Sequence, residues 1–216
     1  MTSNPANTTN YTITLLRHGE SLGNAEGFYQ GQSDFPLSPT GEKQAQSLAN
    51  RWLKERACFD LVISSPLIRA RRTAEIVSAA LNIPIEFDPL WMERNAGLLE
   101  GLHENEAQER YPRPDFISLY QPIGETGESQ WDLFLRAGHA LNEILKRPPG
   151  RYLIVSHGAL LNMVLHATLG ILPHANFQGA HFAFKNTGFS RLVHNPDHHY
   201  WYVEFINDYH HLLDGA

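Results

Sequence analysis

The sequence predicts an α/β fold: a mostly parallel sheet flanked by helices, with a small cap inserted at about residues 102–130. Short apolar runs at 11–16, 59–63 and 151–155 are rich in the β-branched and aromatic residues that favour strands. Each is followed by a segment whose apolar residues recur at helical spacing. Strands that alternate with helices build βαβ units with right-handed crossovers, which place the strands parallel.

For 216 residues that are 42% hydrophobic, one domain with a substantial core is expected. A net charge of −6 argues against general affinity for nucleic acid or anionic membrane. No run approaches the roughly 18 apolar residues of a membrane span. Residues 1–10 are polar and lack the apolar core of a signal peptide, so they read as a disordered tail ahead of a domain at 11–216. Cys58 is the only cysteine, which rules out an internal disulfide and fits a reducing compartment, with the cytoplasm as the expected location.

The first strand stops abruptly at Arg17-His18-Gly19-Glu20-Ser21, followed by Asn24. A Gly-rich aromatic loop covers 23–36. Ser38 is an N-cap candidate and Pro39 suits the first helical position; Ala45, Leu48, Ala49, Trp52 and Leu53 give that helix its apolar face. After the 59–63 strand, Ser65-Pro66 repeats the cap-then-proline signal and predicts a helix to about Leu81, with Arg71 and Arg72 pairing to Glu75. Pro84 puts a short strand at 83–87 on a sheet edge. From 103 to 130, Pro112, Pro114, Pro122, Gly124 and Gly127 interrupt a polar segment that reads as an excursion over the surface. A helix returns between Ser129 and about Lys146. The third βα unit runs from the 151–155 strand through Ser156-His157-Gly158 to a helix closed by Gly170, and further strands are expected around 181–184, 189–193 and 200–206.

Three of these strands finish on groups able to hold an anion: Arg17 with His18, Arg69 just beyond the second strand, and His157. In a parallel sheet such ends share one edge, where ligands of open α/β folds bind. Arg69 also sits near a helix N-terminus, whose free N–H groups and dipole attract anions.

Other routes to phosphate chemistry are missing. There is no G-x-x-x-x-G-K-[ST], no G-x-G-x-x-G and no D-x-D pair. A cysteine phosphatase needs an arginine six residues after its cysteine, and Ser64 stands there. Gly19-Glu20-Ser21-Leu22-Gly23 fits the nucleophile elbow of serine hydrolases, but too little chain precedes it to supply the oxyanion hole. Pro196 interrupts helical presentation of His194, His198 and His199, so no metal is expected there, and His210-His211 reads as packing or surface.

Arg17-His18-Gly19-Glu20-Ser21-x-x-Asn24, Ser65-Pro66-Leu67-x-Arg69-Ala70-x-x-Thr73-Ala74-Glu75 and Ser156-His157-Gly158 together resemble the histidine phosphatase superfamily, which includes the cofactor-dependent phosphoglycerate mutases. Gly31, Leu37-Ser38, Gly41 and the Glu93…Gly97…Glu100-Gly101 pattern agree, so the resemblance spans about 12–170, with a weaker echo at Ile206-Asn207-Asp208. It implies His18 as a nucleophile that forms a phosphohistidine. Arg17, Asn24, Arg69 and His157 would surround the phosphoryl group, and Glu93 would serve as proton donor and then acceptor. No metal or other cofactor is implied. Glu20 would orient neighbours or face solvent, and Ser21 would take no catalytic part.

Departures from the mutase pattern bear on the subclass. Ala96 stands where mutases present a tyrosine, Glu104 near an expected lysine, Ala159 in place of an asparagine, and 105–122 lack an adjacent Arg-Arg pair. The expectation is a metal-independent phosphomonoesterase acting on small phosphorylated metabolites. A phosphoglycerate mutase using 2,3-bisphosphoglycerate is the alternative enzyme, and a non-catalytic protein that binds phosphorylated ligands is the alternative of another class.

Overall fold

A computed structural model of the chain describes residues 9–213. Most of the tail expected at 1–10 therefore lies outside the described residues, although Asn10 accepts a hydrogen bond from Asn195 at 2.9 Å. In chain order the elements are β1 (Tyr11–Arg17), the short helix α1 (Leu22–Glu26), α2 (Pro39–Lys54), β2 (Leu61–Ser64), α3 (Ile68–Leu81) and β3 (Ile85–Phe87). There follow α4 (Glu104–Arg110), α5 (Gln130–Leu145), β4 (Arg151–Ser156), α6 (Gly158–Leu169), β5 (Phe189–Asn195) and β6 (Tyr200–Asp208).

The strands form one sheet in the order β3-β2-β4-β1-β5-β6. The first four of that order run parallel, while β5 and β6 are antiparallel additions. Because side chains alternate across a strand, β1 sends Ile13 and Leu15 to one face and Leu16 to the other. The first face packs under α5 and α6 with Leu133, Ile144 and Leu161. The second packs under α2 and α3 with Leu48, Trp52 and Val77. Trp52 is 1% exposed, and its ring lies 5.0 Å from that of Phe189, edge to face. Truncating such an aromatic costs about 3–5 kcal/mol.

Capping follows the sequence closely at two helices. Ser38 Oγ accepts from Gly41 N at 3.0 Å at the start of α2, and Ser129 forms a reciprocal capping box with Asp132 at the start of α5. Gly170 ends α6 in the left-handed conformation at φ 68°. The strand containing Pro84's downstream residues, β3, is the sheet edge as expected.

Several expectations are corrected. The second strand begins at Leu61 and ends at Ser64, two residues later than expected at its start. Ser65 does not cap α3, which starts at Ile68; Asp34, from the 23–36 loop, instead accepts from Ile68 N at 2.9 Å. Arg71 does pair with Glu75, but Arg72 reaches Glu42 on the neighbouring α2, with Glu75 already taken by Arg71. The 103–130 excursion contains a helix, α4, and buries Ala107 and Ile117. No strand forms at 181–184, since side chains occupy its carbonyls: Asn162 donates to Phe182 O (2.7 Å) and Arg17 to Phe184 O (2.7 Å).

Candidate active site

Parallel pairing places Arg17 opposite Ser156, and Ser64 opposite Val155, so the C-terminal ends of β1, β4 and β2 meet at one edge. His18 and His157 follow the first two ends, and Arg69 lies in the first turn of α3 beyond the third. His18 is 3% exposed, Arg69 1% and His157 fully buried. The two imidazoles lie with centroids 5.0 Å apart.

Backbone geometry aims the His18 ring. His18 N donates to Ser156 O at 3.0 Å, while Gly19 N donates to Thr73 Oγ1 at 3.0 Å. Gly19 and Gly41 bring the turn against the start of α2: a Cβ on Gly19 would lie 2.6 Å from Gly41 O, and one on Gly41 would overlap Glu20 O. Glu20 helps hold this contact by accepting from Ser38 Oγ at 2.7 Å. His18 Nδ1 is 2.6 Å from Gly19 O. A carbonyl only accepts, so Nδ1 carries the proton and Nε2 keeps its lone pair.

Electrostatics favour that neutral form. Burial, then the guanidinium charges of Arg69 and Arg17, hold His18 well below the ordinary histidine value. Burial and the same cations do so for His157. Its Nε2 is 2.8 Å from Ser65 Oγ, and its Nδ1 is buried without a partner. Burial also lowers both arginines, Arg69 to about 10, while the charge of Glu93 opposes the shift in each. Both remain cations at neutral pH. Arg69 donates to Gly31 O (2.7 Å) and Ser33 O (2.9 Å), which fixes its fork.

Glu93 enters from the segment before the cap. Its Oε1 accepts from Arg94 N (2.8 Å) and Leu160 N (3.2 Å), and its Oε2 accepts from Ala159 N (3.2 Å). The carboxylate thus sits on the N-terminus of α6, where free N–H groups and the dipole favour a negative group. Asn24 lies at the third position of α1; its N–H donates to Ser21 Oγ (3.1 Å) and its Oδ1 accepts from Ser21 N (3.2 Å), so Ser21 acts as the cap in a reciprocal capping box. Every site residue expected from sequence thus borders the same sheet edge, with Asn24 connected to the His18 turn through Asn186, which donates to His18 O (3.1 Å) and Asn24 Oδ1 (3.3 Å).

Sequence reasoning missed the supports. Arg136 donates to the carbonyls of Leu90, Met92 and Glu93 and forms a two-armed pair with Glu128, so it clamps the segment that carries Glu93. Its signal is a charge on the apolar face of α5, three residues after Leu133 and four before Ala140. Gln32 adds a bond to Glu93 O at 3.0 Å. Thr187 N donates to the carbonyls of Arg17 and His18, and Thr187 Oγ1 lies 2.8 Å from Nε2 of buried His211. Among the described residues no group of three or more His, Cys, Asp or Glu is arranged to hold a metal ion, and no helix is long and apolar enough to cross a membrane.

This sheet-edge arrangement of histidines, arginines and a carboxylate accompanies a match to the family model of the histidine phosphatase superfamily (branch 1) over residues 13–209, and the chain belongs to that superfamily. It is an enzyme of the phosphatase class that the family defines. Among its relatives is a probable phosphoglycerate mutase, GpmB, of Escherichia fergusonii, 36% identical over 207 residues that cover 93% of this chain and 94% of the relative. The putative α-ribazole-5′-phosphate phosphatase of Escherichia coli has the same fold, with a TM-score of 0.78 at 24% identity, covering 92% of this chain and 97% of that one. Mycobacterial glucosyl-3-phosphoglycerate phosphatase, solved with vanadate, superposes with a TM-score of 0.75 at 25% identity, covering 91% and 98%.

Proposed function

We propose that this protein is a metal-independent phosphomonoesterase that works through a phosphohistidine on His18. The observation that carries the reading is the 2.6 Å bond from His18 Nδ1 to Gly19 O, which leaves Nε2 unprotonated within the field of buried Arg69 and half-buried Arg17. In the first step Nε2 attacks phosphorus, the ester P–O bond breaks, and the leaving oxygen takes a proton from Glu93. In the second, water attacks the phosphohistidine, its proton returns to Glu93, and inorganic phosphate leaves with His18 neutral again. Arg17, Arg69, His157 and the Asn24 amide would hold the equatorial oxygens, where charge accumulates. For His157 the unpartnered Nδ1 and the Ser65 bond at Nε2 support a donor role toward an oxyanion.

A cleft of about 660 Å³ at the cap, lined by Arg94, Tyr111, Arg113 and Phe177 among others, meets the proposed site only through Arg94, the neighbour of Glu93, and is of a size for a small metabolite. The mutase reading draws on the GpmB relative, but the positions that depart from the mutase pattern favour hydrolysis. Ala159 offers the site only its backbone N–H, already bonded to Glu93, and Glu104 lies in the first turn of α4. The test is phosphate release from a panel of phosphate esters in the presence of EDTA, with isomerisation of phosphoglycerate plus 2,3-bisphosphoglycerate run alongside. Hydrolysis with competitive inhibition by vanadate supports the proposal; turnover that requires added Mg²⁺ or Zn²⁺ overturns it, and isomerisation without net phosphate release assigns a mutase.

A further inference from the structure

The face of the sheet under α2 is apolar at Leu16 but changes character toward the start of β1, where Thr14 and Thr12 replace aliphatic residues just as the helix ends at Lys54. A cavity of about 470 Å³ lies there, between the sheet and the loop that follows α2. Its floor is set by strand register. Arg191 of β5 stands opposite Thr14, and Arg151 of β4 opposite Thr12. The loop supplies Arg56, Cys58 and Phe59. Thr14 is roughly 10 Å along the strand from Arg17, toward the opposite end of the sheet from His18.

Two of the polar groups here are buried without a partner. Thr14 is 0% exposed, and its Oγ1 makes no hydrogen bond. The Nε of Arg191 is likewise buried and unbonded; the guanidinium lies over Phe205 and reaches Glu204 only at 3.6 Å. A buried hydroxyl left unsatisfied loses its hydration without recompense, so such groups call for a partner. Glu204 is the one acid that faces Arg191, at that longer distance, and the other two nearby, Glu55 on the cavity wall and Asp60, are committed elsewhere. Glu55 pairs with Arg51 at 2.7 Å, and Asp60 takes both arms of Arg151. Arg56 forms no ion pair among the described residues.

Arg56 is also held at φ 54°, where the chain leaves α2. The ends of α1 and α6 place glycine in that conformation and the end of α3 places asparagine. An arginine there carries backbone strain that glycine would relieve, which is consistent with a use for its side chain.

We infer that this cavity is a second anion-binding site, separate from the sheet-edge site, which takes the carboxylate or phosphate group of a small metabolite. Donors dominate its free groups: the Thr14 hydroxyl and the Arg191 Nε are buried without an acceptor, and the exposed Arg56 guanidinium adds positive charge at the mouth. The volume suits a small molecule.

Cys58, exposed on the cavity wall and the only cysteine of the chain, provides the probe. Alkylation rates with anionic iodoacetate and neutral iodoacetamide are compared by intact mass, against an uncharged reference thiol, N-acetylcysteine amide. An anion site concentrates iodoacetate, so its rate relative to iodoacetamide should exceed the reference ratio on the order of tenfold. Inorganic phosphate or malonate should erase the excess, and whichever competes at lower concentration assigns the group as phosphate or carboxylate. Arg191→Met keeps an apolar stem on Phe205 and should remove the excess; Thr14→Val, close to isosteric, should weaken competition by the anions. His18→Ala should leave the ratio unchanged, which separates this site from the proposed catalytic one. A ratio equal to that of the reference thiol, or an excess that persists in Arg191→Met or under saturating phosphate and malonate, overturns the inference.

Discussion

The rings of His18 and His157 lie with centroids 5.0 Å apart at 57° to one another, buried between two arginines. Two imidazoles this close to guanidinium groups are held neutral, because each added proton would be a further cation in a desolvated site. Neutrality is what the proposed attack of His18 Nε2 on phosphorus requires, and it would leave the guanidinium charge to an incoming phosphate dianion.

Replacing His18 by alanine should reduce turnover to background. Stability should change by only about 1–2 kcal/mol, since the imidazole, though buried, belongs to neither apolar core cluster. Rapid quenching with labelled substrate should trap an acid-labile, base-stable phosphoenzyme in the parent and none in the variant. Full activity in His18→Ala would remove the proposed nucleophile.

The pH dependence should follow from the neighbouring charge. With His18 held well below the ordinary value by burial, Arg69 and Arg17, phosphoenzyme formation should persist into mildly acidic solution. Arg69→Met removes one cation, so the His18 pKa should rise and the acid limb of kcat/KM should move toward neutrality. An unmoved limb, with only KM changed, would mean that another group titrates there.

Glu93→Gln should slow reaction of an alkyl phosphate by roughly 10²–10⁴-fold, because a poor leaving group needs its proton during bond cleavage. A nitrophenyl phosphate departs as a stable anion and should be affected far less. The measurement is pre-steady-state phosphoenzyme formation with both esters. Equal losses would assign Glu93 to holding the start of α6, where it now accepts from Ala159 and Leu160.

Stability should fall on acidification through His211. Burial and Arg51 lower it to about 4 in the folded state, against 6.5 ordinarily. The unfolded chain then binds the extra proton between those values, so this contribution is complete above about 6.5 and is progressively lost as pH falls toward about 4. His211→Gln, whose amide can still donate to Thr187 Oγ1, should flatten that part of the curve. Urea unfolding at neutral and mildly acidic pH measures it; parallel curves for parent and variant would exclude His211 as the source.

Local signals in the chain determined most of the elements and the chemistry at their ends. Ser38-Pro39, Ser129 and Gly170 mark helix ends through bonds that span only a few residues, so they are legible without tertiary contacts. The succession of apolar runs ending in Arg17-His18, Ser64-Ser65 and Ser156-His157 likewise implied a common sheet edge once the strands were taken as parallel. Tertiary structure alone decided what those residues bond to. Asp34 rather than Ser65 caps α3, the 180–184 backbone gives its carbonyls to Arg17, Asn162 and His166 instead of a strand, and Arg136 crosses from α5 to hold Glu93. The physical reason is separation along the chain. Propensity and periodicity report the backbone's local preferences, whereas these bonds join groups 14 to 167 residues apart and exist only after packing has made them neighbours.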